Sequence, residues 1–131
     1  MDLIADTSYL VGLWRGQGWA TQHASVNSSK SLGMCWVVLG EFWHGARRAG
    51  HDEQEVREFL DLGVPLVDAL PVVDTYAQIC AELSRDRSYM DIGQNDLWIA
   101  AVALKWDKPL VTRNKRHFGL ISGLRLEVLS K

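Results

Sequence analysis

Four side chains, far apart in the chain, are of types that could act together: Asp6, Glu41, Asp96 and Asn114. Asp6 follows the apolar "LIA", Glu41 follows "MCWVVLG", Asp96 follows "IGQN", and Asn114 ends "LVTRN". Three carboxylates drawn within a few ångströms would repel and raise one another's pKa unless a cation sat among them. Hard oxygen ligands of this kind suit Mg²⁺ or Mn²⁺. Such an ion can activate a water and stabilise charge on a phosphate under in-line attack. Thr7 and Ser8, next to Asp6, would then support the bound water or a phosphate oxygen. Singly, each acid has a plainer reading: Asp6 as a helix cap, Glu41 as an exposed helical acid, Asp96 as a first-turn acid complementing a helix dipole. Caps alone give no reason for an acid after the first strand, another after the second, and "IGQND" and "TRN" later.

The elements that would position these residues alternate along the chain. Residues 2–6 read as a short strand and "TSYLVGLW" as a helix, its first turn suited to Thr7 and Ser8. A second helix is expected near "WATQHASV", although residues 15–33, rich in Gly, Ser, Gln and Asn, carry little pattern. "MCWVVL", residues 34–39, has the length and apolarity of a strand. "GEFWHGARRAG" follows as a helix with Arg47 and Arg48 in its last turn and Gly50 as its stop. Asp52 and Glu55 resemble a capping box for "EQEVREFLDLG". "VPLVDALPV" reads as one buried strand and a loop, and Asp74 as the cap of "TYAQICAELSRD". The loop "RSYMDIGQN" leads to the helix "DLWIAAVALKW", with Leu97, Ala100, Ala101 and Leu104 inside; "KPLVT" and "LRLEVL" close the chain as strands. This alternation predicts a single α/β domain over residues 1–131, three-layered α/β/α around a mostly parallel sheet. In such sheets reactive groups gather beyond the carboxyl ends of the strands, where the four residues would meet.

Composition narrows the rest. The 131 residues are 47% hydrophobic and 23% charged, and no apolar run approaches the roughly 18 residues of a membrane span. An acid directly after Met1 is unlike a signal peptide, so a cytoplasmic location and no membrane association are expected. Cys35 and Cys80 form no CxxC pattern and read as small core residues. A formal charge of −2 gives no global field for nucleic acid, which leaves local basic patches: Arg113, Lys115 and Arg116 in "TRNKRHF", and Arg47 and Arg48. Of six tryptophans, Trp14, Trp19, Trp36 and Trp43 cluster in the N-terminal third; most read as core, the remainder as base-stacking or partner-groove residues.

"IADTSYLVGL", "LGEFWHGA" and "IGQNDLWIAAVALKWDKPLVTRNKRHFGLISGL" together resemble the PIN domain family, specifically toxins of the VapC type from type II toxin-antitoxin systems. The resemblance spans nearly the whole chain except residues 15–33 and "RDRSYMD". It implies a metal-dependent endoribonuclease, with Mg²⁺ or Mn²⁺ as cofactor, RNA as substrate, a cognate VapB-like antitoxin as partner, and a homodimer. By motif, Asp6, Glu41 and Asp96 are the metal ligands, and Asn114 stands where many relatives carry a fourth acid; an amide is the weaker ligand. Thr7, Ser8, Thr112 and Arg113 fall where substrate would be contacted. His117 stands where relatives often carry Asp, and reads equally as a loop histidine or a substrate contact.

The alternative is a catalytically decayed PIN scaffold that binds RNA or antitoxin without cutting, which Asn114 favours and the retained acids oppose. A phosphoaspartyl enzyme using Asp6 fits less well. Ser8 stands where a second Asp would be expected, and Ala5 precedes Asp6 where a receiver would carry an acid.

Overall fold

In the computed structural model, residues 1–85 and 91–130 are described. The chain runs β1 (Leu3–Ala5), α1 (Thr7–Trp14), α2 (Gly18–Val26), β2 (Leu32–Cys35), α3 (Trp36–Ala49), α4 (Glu53–Leu60) and β3 (Val64–Leu66). After a 3₁₀ turn at Leu70–Val72 come α5 (Val73–Leu83), α6 (Gln94–Trp106), β4 (Leu110–Thr112), α7 (Lys115–Phe118) and β5 (Leu126–Val128). The strands form one sheet in the order β3-β2-β1-β4-β5, and all four pairings are parallel. Every residue of β1, β2 and β4 is buried. Because successive side chains of a strand point to opposite faces, this burial requires cover on both faces, the three-layer arrangement expected.

Strand order fixes where a site can form. From β1 the chain moves outward to β2 and β3, then returns to lay β4 and β5 on the other side. Helices following β1 and β4 therefore diverge and leave a crevice beyond the carboxyl ends of those two strands. Asp6 stands at that crevice, its N–H donating to the carbonyl of Val111 in β4 at 3.0 Å.

Several boundaries differ from the sequence expectation. In "MCWVVL" only Met34 and Cys35 are strand, and Trp36 to Leu39 form the first turn of α3. An apolar run reads as a strand by default, but here its first helical turn is itself packed: Val38 is fully buried, and the indole of Trp36 meets that of Trp98 in α6 edge-on at 5.7 Å. Glu41 thus lies in the second turn of a helix and not directly after a strand. β3 is an exposed edge strand, with Val64 45% accessible, and not the buried one expected. Asp74 lies inside α5, accepting from Gln78 Nε2 at 2.8 Å, while Val72 occupies the cap. Asp52 caps α4 by backbone position without a side-chain bond, so no capping box forms. Gly50 ends α3 with φ +74°, as its place after two arginines suggests. The loop expected at 87–95 lies partly outside the described residues.

α6 is buried on nearly all sides, with Leu97, Ile99, Ala100, Ala101, Val102 and Ala103 inside. That exceeds the single inner face expected and makes α6 a central element. Cys35 is buried and Cys80 half-buried, both as free thiols; burial pushes the Cys35 thiol up, out of reactive range. Trp14, Trp19, Trp36 and Trp43 are all half-buried against the core.

α1 carries a glycine in its interior for a steric reason. A Cβ on Gly12 would lie 2.3 Å from the Cη2 of Trp19 in α2 and 3.0 Å from the Cβ of Ala20. Gly12→Ala gains about 1 kcal/mol of helix propensity yet forces the indole out of its seat. The substitution is expected to lower stability by about 1–3 kcal/mol in chemical denaturation, the usual range for overpacking. A more stable variant would mean that Trp19 is not seated against α1.

Candidate active site

The site starts from the junction of β1 and α1. Asp6 takes an extended backbone conformation and caps α1, its Oδ1 accepting from the Thr7 N–H at 2.8 Å. Its Oδ2 accepts from the hydroxyls of Ser8 at 2.9 Å and Thr112 at 2.6 Å. The side chain is therefore both cap and site residue, and at 6% exposure it is nearly shut off from solvent. Burial pushes its carboxyl above the usual carboxylate range; three hydrogen bonds oppose the rise and the charge of Asp96 adds to it.

Asp96 is the third residue of α6 and is half-buried opposite Asp6. One of its oxygens lies 3.1 Å from His117 Nδ1 in α7. Asn114 caps α7, accepting from the His117 N–H at 3.4 Å, and its side-chain nitrogen lies 3.1 Å from the same Nδ1. A proton on Nδ1 serves Asp96 and a lone pair there serves Asn114, so the ring satisfies one at a time. Glu41 enters from α3: its Oε1 accepts from Thr7 Oγ1 at 2.6 Å and its Oε2 from Asn95 Nδ2 at 3.3 Å.

The sequence-picked residues thus assemble at one crevice and are linked: Asp6 to Glu41 through Thr7, and Asp6 to Asn114 through Thr112, whose hydroxyl also accepts from the Asn114 N–H at 2.9 Å. They do not close on a single point. Among the described residues, no three His, Cys, Asp or Glu side chains converge tightly enough to grip an ion in the conformations shown. The donor set still fits a hard divalent cation. It offers carboxylate oxygens held only by uncharged donors or by a histidine, with a mutual repulsion that a cation would relieve.

The hydroxyls expected at substrate are turned to the acids. Thr112 is fully buried, and its hydroxyl donates to Asp6. Ser8 Oγ donates to Asp6 and accepts from the Arg113 N–H at 3.2 Å. Arg113, Lys115 and Arg116 are exposed. Arg47 is partly committed, 3.8 Å from Glu53 and over the ring of Trp43 at 5.6 Å. Two neighbours are not legible in the sequence as partners of the acids: His117 fits a loop histidine as well as a substrate contact, and Asn95 carries no sign beyond standing before Asp96 in a helical first turn.

A raised pKa for Asp6 has a definite sign for stability. The folded state keeps its proton to higher pH than the unfolded chain, so this group's contribution falls as pH rises from the ordinary 3.8 through the raised value. At neutral pH and without divalent ions, Asp6 costs stability. Asp6→Asn is expected to raise the Tm in EDTA at neutral pH and to leave it little changed near pH 3, where both proteins are uncharged at that position. A variant less stable than the parent at neutral pH would mean that the three hydrogen bonds outweigh the buried charge.

Residues 3–123 match the PIN domain family. Ribonuclease VapC1 of Rickettsia felis is 30% identical over 139 residues, covering 99% of this chain and 98% of the relative. The DNA-bound VapBC structure from Salmonella typhimurium contains a chain that superposes with TM-score 0.84 at 25% identity, covering 98% of each. VapBC2 from Rickettsia felis, bound to a DNA fragment from its promoter, shares the fold with TM-score 0.85 at 23% identity, over 99% of this chain and 100% of that one. Matched over nearly its whole length in sequence and fold, the chain belongs to the PIN domain family, among its VapC-type members.

Proposed function

We propose that this protein is an endoribonuclease, the toxin of a toxin-antitoxin pair, which hydrolyses RNA phosphodiester bonds at the Asp6, Glu41 and Asp96 centre. The observation that carries this is the crevice between β1 and β4, where a desolvated Asp6 feels the charge of Asp96 and is joined to Glu41 through Thr7. The three carboxylates would hold Mg²⁺, or Mn²⁺ in its place, after Glu41 and Asp96 turn from Asn95 and His117. When bound, the ion supplies a Lewis acid at the phosphate and a water of lowered pKa. The kinship with ribonucleases named VapC supports RNA as the substrate class.

The chain's own residues divide the work. Thr112 and Ser8 fix the Asp6 carboxylate in one orientation, and Thr7 does the same for Glu41. Asn114 stays an auxiliary, since its amide is spent on capping α7 and on His117. Arg113, Lys115 and Arg116 supply the cations that meet the RNA backbone. Water attacks phosphorus in line and the 3′-oxygen leaves, giving a 5′-phosphate and a 3′-hydroxyl. Attack by the RNA's own 2′-hydroxyl would leave a cyclic phosphate instead.

An apolar groove lined by Val11, Trp14, Phe42, Ala46 and Ala49 opens beside Glu41 and would take an apolar segment of a VapB-like antitoxin. Exposed Val64, Val67, Leu70 and Val73 follow the free edge of the sheet and offer a homodimer surface. No helix among the described residues is long and apolar enough to cross a membrane. A cytoplasmic location is part of this proposal, because the RNA it would cut is there.

The test is cleavage of total RNA by antitoxin-free protein. Cutting is expected with Mg²⁺ or Mn²⁺, to stop in EDTA, and to fall by more than about a hundredfold in Asp96→Asn. The new ends are expected to be 5′-phosphate and 3′-hydroxyl. Failure of the folded parent to cut any RNA pool with either metal would favour the second reading, a binding scaffold whose site has decayed at Asn114.

A further inference from the structure

α2 has no counterpart among the motifs of the sequence, yet it is fastened to α1 on one side and to β5 on the other. Its His23 lies between Tyr9 of α1, at 2.8 Å from the hydroxyl, and Glu127 of β5, at 2.9 Å. A neutral ring accepting at Nδ1 and donating from Nε2 satisfies both. One turn earlier, on the same face of the helix, stands Trp19. Its indole occupies the space that Gly12 leaves open on α1, so the ring is held by sterics on one side.

On the ring lies the guanidinium of Arg113, 4.5 Å from its centroid. Among the described residues no carboxylate pairs with that guanidinium. The backbone of Arg113 is fixed independently, its N–H donating to Ser8 Oγ, which donates in turn to Asp6. Arg113, tied by two hydrogen bonds to the acidic centre, thus has its guanidinium carried on an aromatic face. An arginine so placed keeps its five donors available for an anion while losing little freedom when it binds one.

We infer that Trp19 is a positioning residue for RNA: its indole holds the Arg113 guanidinium where it meets a phosphate of the strand entering the acidic centre. This rests on the nuclease reading above. It assigns a task to α2 and explains why α1 carries glycine at position 12. The interaction is sequence-independent, so it sets affinity for the RNA backbone and not the choice of base.

The experiment measures binding of a fluorescein-labelled, mixed-sequence single-stranded oligoribonucleotide in the Asp96→Asn background across a salt series. Trp19→Leu keeps an apolar filler beside Gly12 but removes the aromatic face; Trp19→Phe keeps a face. Trp19→Leu is expected to weaken binding about two- to fivefold, the scale of one exposed cation–π contact. It is also expected to flatten the log–log salt slope by up to about 0.7, the share of one phosphate contact on a single strand. Arg113→Gln should do the same, the double variant should be no weaker than Arg113→Gln alone, and Trp19→Phe should restore most of the parental slope. A general loss of folding in Trp19→Leu would not be repaired selectively in the salt slope by phenylalanine. Parental affinity and slope in Trp19→Leu, or additive losses in the double variant, would overturn the platform while leaving the nuclease reading intact. A parent that neither binds nor cuts RNA would overturn both.

Discussion

The carboxylate of Asp6 is carried into a place from which water is almost excluded, with another acid close enough to raise its pKa further. Burying such a charge is costly unless it is paired or hydrogen-bonded. Three donors, the Thr7 amide and the hydroxyls of Ser8 and Thr112, meet that demand only in part, because all are uncharged. The remaining imbalance is what a divalent cation would correct. Stability is given up at one point of the molecule, and a bound cation would return it, a common relation between fold and active site.

The rest of the architecture serves to hold that imbalance in place. Reversal of the strand order between β1 and β4 brings Asp6 and Thr112 side by side, though they are distant in sequence. α6, buried on nearly every side, cannot shift without disturbing the core, so Asp96 in its first turn is delivered rigidly. Glu41 comes on the better-solvated α3, with one oxygen held by Thr7 at 2.6 Å and the other by Asn95 at 3.3 Å. On the outer side, α2 and the glycine of α1 seat an aromatic ring beneath the guanidinium of Arg113.

Much of this was legible in the sequence because it depends on local pattern. Alternating apolar runs and amphipathic stretches give the parallel α/β order, and the rule that sites lie beyond strand ends selects Asp6, Glu41, Asp96 and Asn114 without coordinates. What stayed hidden depends on tertiary burial. "MCWVVL" reads as a strand because every residue is apolar, but Trp36 to Leu39 satisfy that apolarity as a helical turn packed on α6. β3 is apolar yet exposed, which no single sequence distinguishes from a buried strand. The contacts of His117 with Asp96, Asn95 with Glu41 and Arg113 with Trp19 join residues far apart in the chain, and no spacing rule foretells them.

Whether Asp6, Glu41 and Asp96 form one metal centre is tested most directly by titrating Mn²⁺ into the antitoxin-free protein and following the bound ion by electron paramagnetic resonance, with Asp6→Asn and Glu41→Gln alongside. One saturable site in the parent, weakened in each variant, is the result expected if the three carboxylates close on a shared ion. No saturable binding in the folded parent, or binding that both variants retain unchanged, would contradict a metal centre at these residues.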